Sequence, residues 1–342
     1  MVMRIAQVST LSSPVCRQAR GSVEALVWLL TRELTGLGHE VTVFGCGESE
    51  APGKFVETLP GPYGAPGSFD DWQLCEWVNL CRAVEQSGRF EVMHTHAYLW
   101  GIPLEKFSRA PLVHTLHIVP DGNTARLWSG SPHSNVTAIS RHQWSGHPAL
   151  QPCAVIPHGV DPTQFTFQPK PDDYVCYLGR FVSGKGPIQA IQAAQALGLR
   201  LLLAGPENPY FREKIKPLLD GKSAEYVGFL RGAERDQLLG GARALLYPIQ
   251  YPEAFGLVLL EAMLCGTPVV AMQLGAVPEI VDEGVTGFSA KSPEEFLEAV
   301  QKALQLDRRR VRQQAEQRFS AERMAREYVT VYERLAQRNN SP

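Results

Sequence analysis

No apolar run in this 342-residue sequence approaches the length of about 20 that a membrane-spanning helix needs. The opening MVMRIAQVST lacks the apolar core of a secretory signal and reads as a strand. No CxxC pair occurs. The seven cysteines, an odd number scattered through apolar stretches, argue against a disulfide or zinc framework and fit buried free thiols in a reducing cytoplasm. An excess of one charge is also missing. Lys and Arg number 33 against 35 Asp and Glu, so nucleic acid is not the expected partner. The longest basic cluster, Arg308–Arg310, reads as a solvated helix face. The best amphipathic segment of the first half, DWQLCEWVNLCRAVEQ, carries more acid than base, so nothing supports peripheral membrane contact.

What is present is a regular alternation. Arg4–Val8 reads as a short strand, followed by a polar loop over 9–20. Ser22 is placed to cap a helix in which Val23, Leu26, Val27, Leu30 and Leu34 recur at helical spacing, and Gly36 and Gly38 stop it. Glu40–Phe44 is the next strand, which makes a β-α-β unit with parallel strands. Further strands are expected at Val92–His94, Leu112–Thr115, Val136–Ile139 and Ala154–Ile156. The pattern then restarts at Tyr174–Leu178, with Pro187 opening a helix, and continues through Leu201–Ala204, a helical stretch ending near Leu219, Glu225–Val227, Ala244–Tyr247 and Val269–Ala271. After Pro293 the chain reads as helical. The fold class is α/β, with two doubly wound, Rossmann-like domains joined near 157–170. Their boundaries fall at 1–162 with 321–342, and at 163–320. Two such domains would face each other across a central cleft, with binding groups at the carboxyl ends of the strands.

Two strand-end segments carry chemistry. In LGRFVSGKGP (178–187), Arg180 and Lys185 bracket a glycine-bearing loop before a helix. This is either a site for a polyanion such as a diphosphate or a solvated loop with two unrelated cations; the Walker spacing is absent. In EAFGLVLLEAM (253–263), a helix begins near Phe255-Gly256 and is apolar almost all round, yet Glu253 precedes it and Glu261 lies inside it. Either the acids serve a ligand's hydroxyls on both sides of an amide cluster at Phe255, Gly256 and Leu257, or Glu253 complements the helix dipole and Glu261 pairs with an internal base. Among the nine histidines, His94, His96, His114 and His117 cluster near two strand ends. No acid or cysteine spacing supports a metal there, and His114 reads as packed. Trp72, Trp77, Tyr98 and Trp100 read as packing before they read as an acceptor surface.

The order VIPHGVD (155–161), LGRFVSGKG (178–186), LLLAGP (201–206), VGFL (227–230), EAFGLVLLEAMLCGTPVVA (253–271) and EIVDEGVTGF (279–288) resembles the retaining glycosyltransferases of family 4, which have GT-B architecture. The N-terminal segments GSVE, LGHEVTVF (37–44), HTH (94–96) and HTLH (114–117) agree, so the resemblance spans nearly the whole chain. It implies transfer of a hexosyl group from a UDP- or GDP-sugar to an unidentified acceptor hydroxyl, in glycan, glycolipid or secondary-metabolite synthesis, without metal or cofactor. It further implies that Arg180 and Lys185 bind the donor diphosphate, Glu253 the sugar and Glu261 the ribose, with backbone amides at Phe255–Leu257 on phosphate or sugar. His117 would lie near the reacting centre and Gly21 near the diphosphate or acceptor. The loop Gly228, Phe229, Leu230 would meet the base. Two departures stand out: Gly21-Ser22 replaces a Gly pair, and His158 replaces Asn. The resemblance also implies that the last helix, about Ala321–Ala336, returns to the first domain. The rival functions are a nucleotide-sugar epimerase and a non-catalytic sugar-nucleotide-binding subunit.

Overall fold

The computed structural model describes residues 2–147 and 149–339. Contacts divide the chain into two compact units. One runs to Gly159 and resumes at Ala321; the other is Val160–Ser320. The first begins with β1 (Arg4–Val8), α1 (Ser22–Gly36), β2 (Glu40–Cys46), β3 (Lys54–Leu59), α2 (Trp72–Val84), β4 (Val92–Thr95), β5 (Leu112–Leu116), α3 (Gly122–Ser129), β6 (Asn135–Ala138) and β7 (Ala154–Val155). The second holds β8 (Val175–Leu178), α4 (Pro187–Ala196), β9 (Leu201–Ala204), β10 (Ala224–Tyr226), α5 (Gly232–Gly241), β11 (Leu245–Tyr247), α6 (Leu257–Leu264), β12 (Val269–Met272), α7 (Val277–Ile280), β13 (Gly287–Ala290), α8 (Pro293–Ala303) and α9 (Arg308–Phe319). The final helix, α10 (Ala321–Asn339), belongs to the first unit.

Both units are Rossmann-like parallel sheets. Their strand orders are β3-β2-β1-β4-β5-β6-β7 and β10-β9-β8-β11-β12-β13. Each order reverses direction once, between β1 and β4 and between β8 and β11. The loops leaving the carboxyl ends of those strands open at such a switch point, where doubly wound sheets hold their ligands. The central strands read as apolar runs because both faces are covered. Val175, Leu203, Leu246 and Val270 pack with Ala190, Ile191, Phe296 and Val300 in the second unit. In the first, Ile5, Val92 and Val113 meet Leu30 of α1 and Tyr328 and Tyr332 of α10.

Local details depart from the sequence reading. Gly21, in extended backbone and without a side-chain cap bond, holds the cap position of α1 that Ser22 was expected to fill. The helical stretch before Leu219 is a π-turn, Phe211–Ile215, and a 3-10 turn, Lys216–Leu218, because Pro217 has no amide to continue an α-helix. The basic cluster is not a uniform solvated face. Arg308 is buried, and its guanidinium donates to the carbonyls of Gln168, Gly240 and Ala242 and to Thr267 Oγ1. Arg309 and Arg310 are exposed.

Candidate active site

In the second unit, the loop leaving β8 carries Lys185 and the loop leaving β11 carries Glu253. The structure joins them. The Lys185 ammonium is ion-paired with Glu253 Oε2, and both side chains are mostly buried, 14% and 17% exposed. Tyr247, the last residue of β11, completes the group. Its hydroxyl donates to Glu253 Oε2 at 2.6 Å and accepts from Lys185 Nζ at 3.1 Å. Burial, and then the Glu253 carboxylate, push the Tyr247 phenol well above its ordinary range, so it remains a proton donor. The ammonium also lies over the rings of Tyr247 and Tyr251, 5.4 and 5.3 Å from their centroids. Glu253 Oε1 makes no hydrogen bond among the described residues.

The glycines around Lys185 have a second reason to be glycine. A Cβ on Gly184 would stand 2.4 Å from the Tyr251 ring. One on Gly186, at φ +70°, would stand 1.9 Å from the Pro248 carbonyl oxygen. Their smallness lets the two loops close on each other, where Gln250 N donates to Gly184 O at 2.8 Å. Glu253 is held from behind as well, since Ala276 N donates to its carbonyl at 2.8 Å. Arg180 is exposed, and its guanidinium has no ion pair or hydrogen bond among the described residues.

The helix α6 begins at Leu257, and Gly256 caps it at φ +100°, a left-handed backbone that glycine adopts without strain. Its first-turn amides therefore start at Leu257. Phe255 is buried edge-on against Phe319, 6.2 Å between centroids. The acid inside the helix has a base: Arg235 of α5 pairs with Glu261 at 3.1 Å. Burial raises the Glu261 pKa and Arg235 partly offsets it. Beyond β10, Gly228 adopts φ +97°, Leu230 is half-buried, and Phe229 is 51% exposed with the Arg231 guanidinium 4.6 Å from its ring centroid.

In the first unit, His117 follows β5. It lies 3.0 Å through Nε2 from His96 Nδ1 and stacks on His158 at 5.3 Å. Burial lowers its pKa to about 4, so the ring is neutral at physiological pH. His114 Nε2 lies within hydrogen-bond distance of Glu105 Oε1, 2.7 Å. Trp72, Tyr98 and Trp100 form a mutual ring cluster with centroids 5.2–5.6 Å apart, and Trp72 stays partly exposed. The loop after β1 is fixed by Glu24, whose Oε1 accepts from Thr10 Oγ1, Ser12 N and Ser12 Oγ at 2.8, 2.8 and 2.6 Å. Gly21 is glycine because of that carboxylate: a Cβ there would stand 1.8 Å from Glu24 Oε2. Sequence reasoning missed Tyr247, read only as the end of a strand, and Arg235, for which it had no reading. It also missed the work of Glu24, although the acid stands in the GSVE segment.

Comparison with known proteins gives the family and the fold. The family model described as Glycosyltransferase Family 4 matches residues 23–164, and that described as Glycosyl transferases group 1 matches 163–318. A D-inositol 3-phosphate glycosyltransferase of Mycolicibacterium smegmatis is 28% identical over 345 residues, covering 83% of this chain and 79% of that protein. Among solved structures, sucrose-phosphate synthase from Thermosynechococcus elongatus superposes with a TM-score of 0.81 at 20% identity, over 98% of this chain and 99% of that one. Anabaena HepE, solved in complex with UDP and glucose, superposes with a TM-score of 0.74 at 21% identity, over 97% and 100%. With two adjoining family models spanning residues 23–318 and both units built as Rossmann-like sheets, the chain belongs to glycosyltransferase family 4, of GT-B architecture.

Proposed function

We propose that this glycosyltransferase is a retaining hexosyltransferase that takes its sugar from a nucleotide-diphospho-sugar and passes it to an acceptor hydroxyl without a metal ion. The observation that carries this reading is the Lys185–Glu253–Tyr247 group at the switch point of the second sheet. Cleaving a sugar–diphosphate bond builds negative charge on the departing phosphate. A cation already held in place stabilises that charge without reorganising. Lys185 is held by Glu253 and Tyr247, and exposed Arg180 adds a second cation on the same loop. Glu253 divides its labour: Oε2 fixes the lysine and Oε1 receives a hydroxyl of the donor sugar. Glu261, steadied by Arg235, receives the ribose hydroxyls, and the first turn of α6 offers amides to phosphate. The donor is a UDP- or GDP-hexose, and HepE, crystallised with UDP and glucose, favours UDP. Same-face attack, with the departing phosphate taking the acceptor proton, gives retention.

The test is transfer from UDP- and GDP-hexoses, with the product's anomeric configuration read by NMR. Lys185→Ala should lower kcat by about 10²–10³-fold in a protein that still folds, as circular dichroism checks, with an unfolding midpoint lowered by the stranded Glu253 carboxylate. Transfer should also survive EDTA. Near-native turnover by the alanine variant would remove the diphosphate assignment, inversion at the anomeric carbon would remove retention, and loss of activity restored by a divalent metal would remove the metal-free account.

A further inference from the structure

A chain of buried hydrogen bonds runs from His117 to the C-terminal helix. Gln7, His94, His96, Thr115, Thr137 and Tyr332 are each at most 2% exposed, so bulk water cannot reset their protons. The direction of the chain follows from the Gln7 amide, whose Nε2 donates to the Tyr332 hydroxyl. At the far end, Thr137 Oγ1 lies 2.6 Å from Thr115 Oγ1. Thr115 Oγ1 in turn lies 2.9 Å from Tyr328 OH and 2.6 Å from His94 Nε2. Tyr332, which accepts from Gln7, gives its own proton to His94 Nδ1 at 2.6 Å, and burial keeps that ring neutral, its pKa well below the ordinary range, so the His94 proton sits on Nε2. The Tyr332 oxygen accepts from Gln7 Nε2 at 3.2 Å, and Gln7 Oε1 accepts from His96 Nε2 at 2.8 Å. His96, also kept neutral by burial, then accepts at Nδ1 from His117 Nε2 at 3.0 Å. With the Gln7 amide in this orientation, reversing any one link between His117 and His94 would put two protons, or none, between a pair of buried atoms.

We infer that Tyr332 of α10 is a positioning residue, which through His94 and the Gln7–His96 chain locks His117 in the neutral tautomer protonated at Nε2. His117 Nδ1 is then left with a lone pair. On the reading of His117 as a residue beside the donor sugar, which this inference rests on, the ring accepts a hydroxyl proton instead of offering a donor. A neutral ring also places no cation beside a sugar carbon that becomes positive as its bond breaks. A histidine's tautomer is set by the bond its other nitrogen makes, and here that bond is determined by a side chain on α10, more than 200 residues away in sequence.

The experiment reads the tautomer directly. Long-range 1H–15N correlation spectra of the full chain labelled with 15N-histidine report which nitrogen of each ring carries the proton, and His117→Gln identifies the His117 signals. The native protein should show His117 protonated at Nε2. Tyr332→Phe, and Gln7→Met from the strand side, should give a mixed or Nδ1-protonated ring and lower transfer kcat/KM by about tenfold, the scale seen when the outer partner of a functional histidine is removed. Tyr328→Phe, which deletes a hydroxyl on the same helix that bonds Thr115 and Thr137 but neither Gln7 nor His96, should leave the His117 tautomer native; it controls for simple loosening of α10. A native His117 protonated at Nδ1, or an unchanged tautomer in both Tyr332→Phe and Gln7→Met, would overturn the inference. The spectra need no substrate. Failure of transfer from UDP- and GDP-hexoses would therefore count against the donor reading, while the tautomer result still decides this one.

Discussion

Glu76 of α2 is 2% exposed, with one carboxylate oxygen accepting from Leu11 N at 2.8 Å and the other without a partner among the described residues. Burial, only partly offset by that amide, pushes its carboxyl from 4.5 up to about 8. The folded protein therefore keeps a proton that the unfolded chain releases between these values, and stability falls as pH rises through that window. Glu76→Gln keeps an acceptor for Leu11 and cannot ionise. Urea denaturation at pH 5 and pH 8 should show the variant gaining on the native protein as pH rises, by at most about 1.4 kcal/mol per unit. A constant difference across that range would mean that the acid finds water or a base. At this scale the sequence was half legible. Lys185, Glu253 and Glu261 stood out because charges in apolar or glycine-rich surroundings need a reason. Tyr247 and Arg235 did not, because nothing in a core strand or a polar helix announces which distant acid it meets. Glycine was legible as a requirement but not as to cause: Gly184, Gly186 and Gly21 make room for Tyr251, Pro248 and Glu24.

Secondary structure was legible where burial is two-sided. Arg4–Val8 and Leu201–Ala204 form strands with the bounds the sequence suggested. The strands left unread were β3 and β13. Each lies at the edge of its sheet, with partly exposed residues, so neither carries an unbroken apolar run. The cluster Arg308–Arg310 shows the same limit for helices, because composition cannot say which arginine turns inward. Arg308 opens α9 and reaches across to Gly240 and Ala242 at the end of α5 and to Thr267 before β12. It thus satisfies carbonyls that a helix end leaves over. Arg308→Met should cost about 2–4 kcal/mol through stranded buried acceptors, read as a lowered urea midpoint. Arg310→Met, on the exposed side, should stay within about 0.5 kcal/mol of native. Equal effects of the two would return the cluster to a solvated face.

In the whole molecule, the second unit is an insertion between β7 and α10 of the first. Its two ends run side by side: Val160 and Ser320 form a parallel bridge, and Val160 N donates to Phe319 O at 2.9 Å. Residues 160–320 expressed alone should therefore unfold in one cooperative urea transition, since excision breaks no strand or helix of that unit. Residues 1–159 alone should not. They lack Met324, Tyr328, Val331, Tyr332 and Leu335, all in the core of the first unit. At about 1.5–3 kcal/mol for each large apolar side chain buried, that loss matches the whole stability of an ordinary domain, about 5–15 kcal/mol. A cooperative transition for 1–159 would show α10 to be dispensable.

The position of α10 also sets an order in time. A ribosome delivers β1 through β7 first, yet their core stays open until Tyr328 and Tyr332 have been made. The second unit, begun later, has all its residues once Ser320 has left the exit tunnel and can close at once. The half of the protein that is synthesised first is the half that finishes last. Until then, the apolar face that α10 will cover is exposed to chaperones and to neighbouring chains.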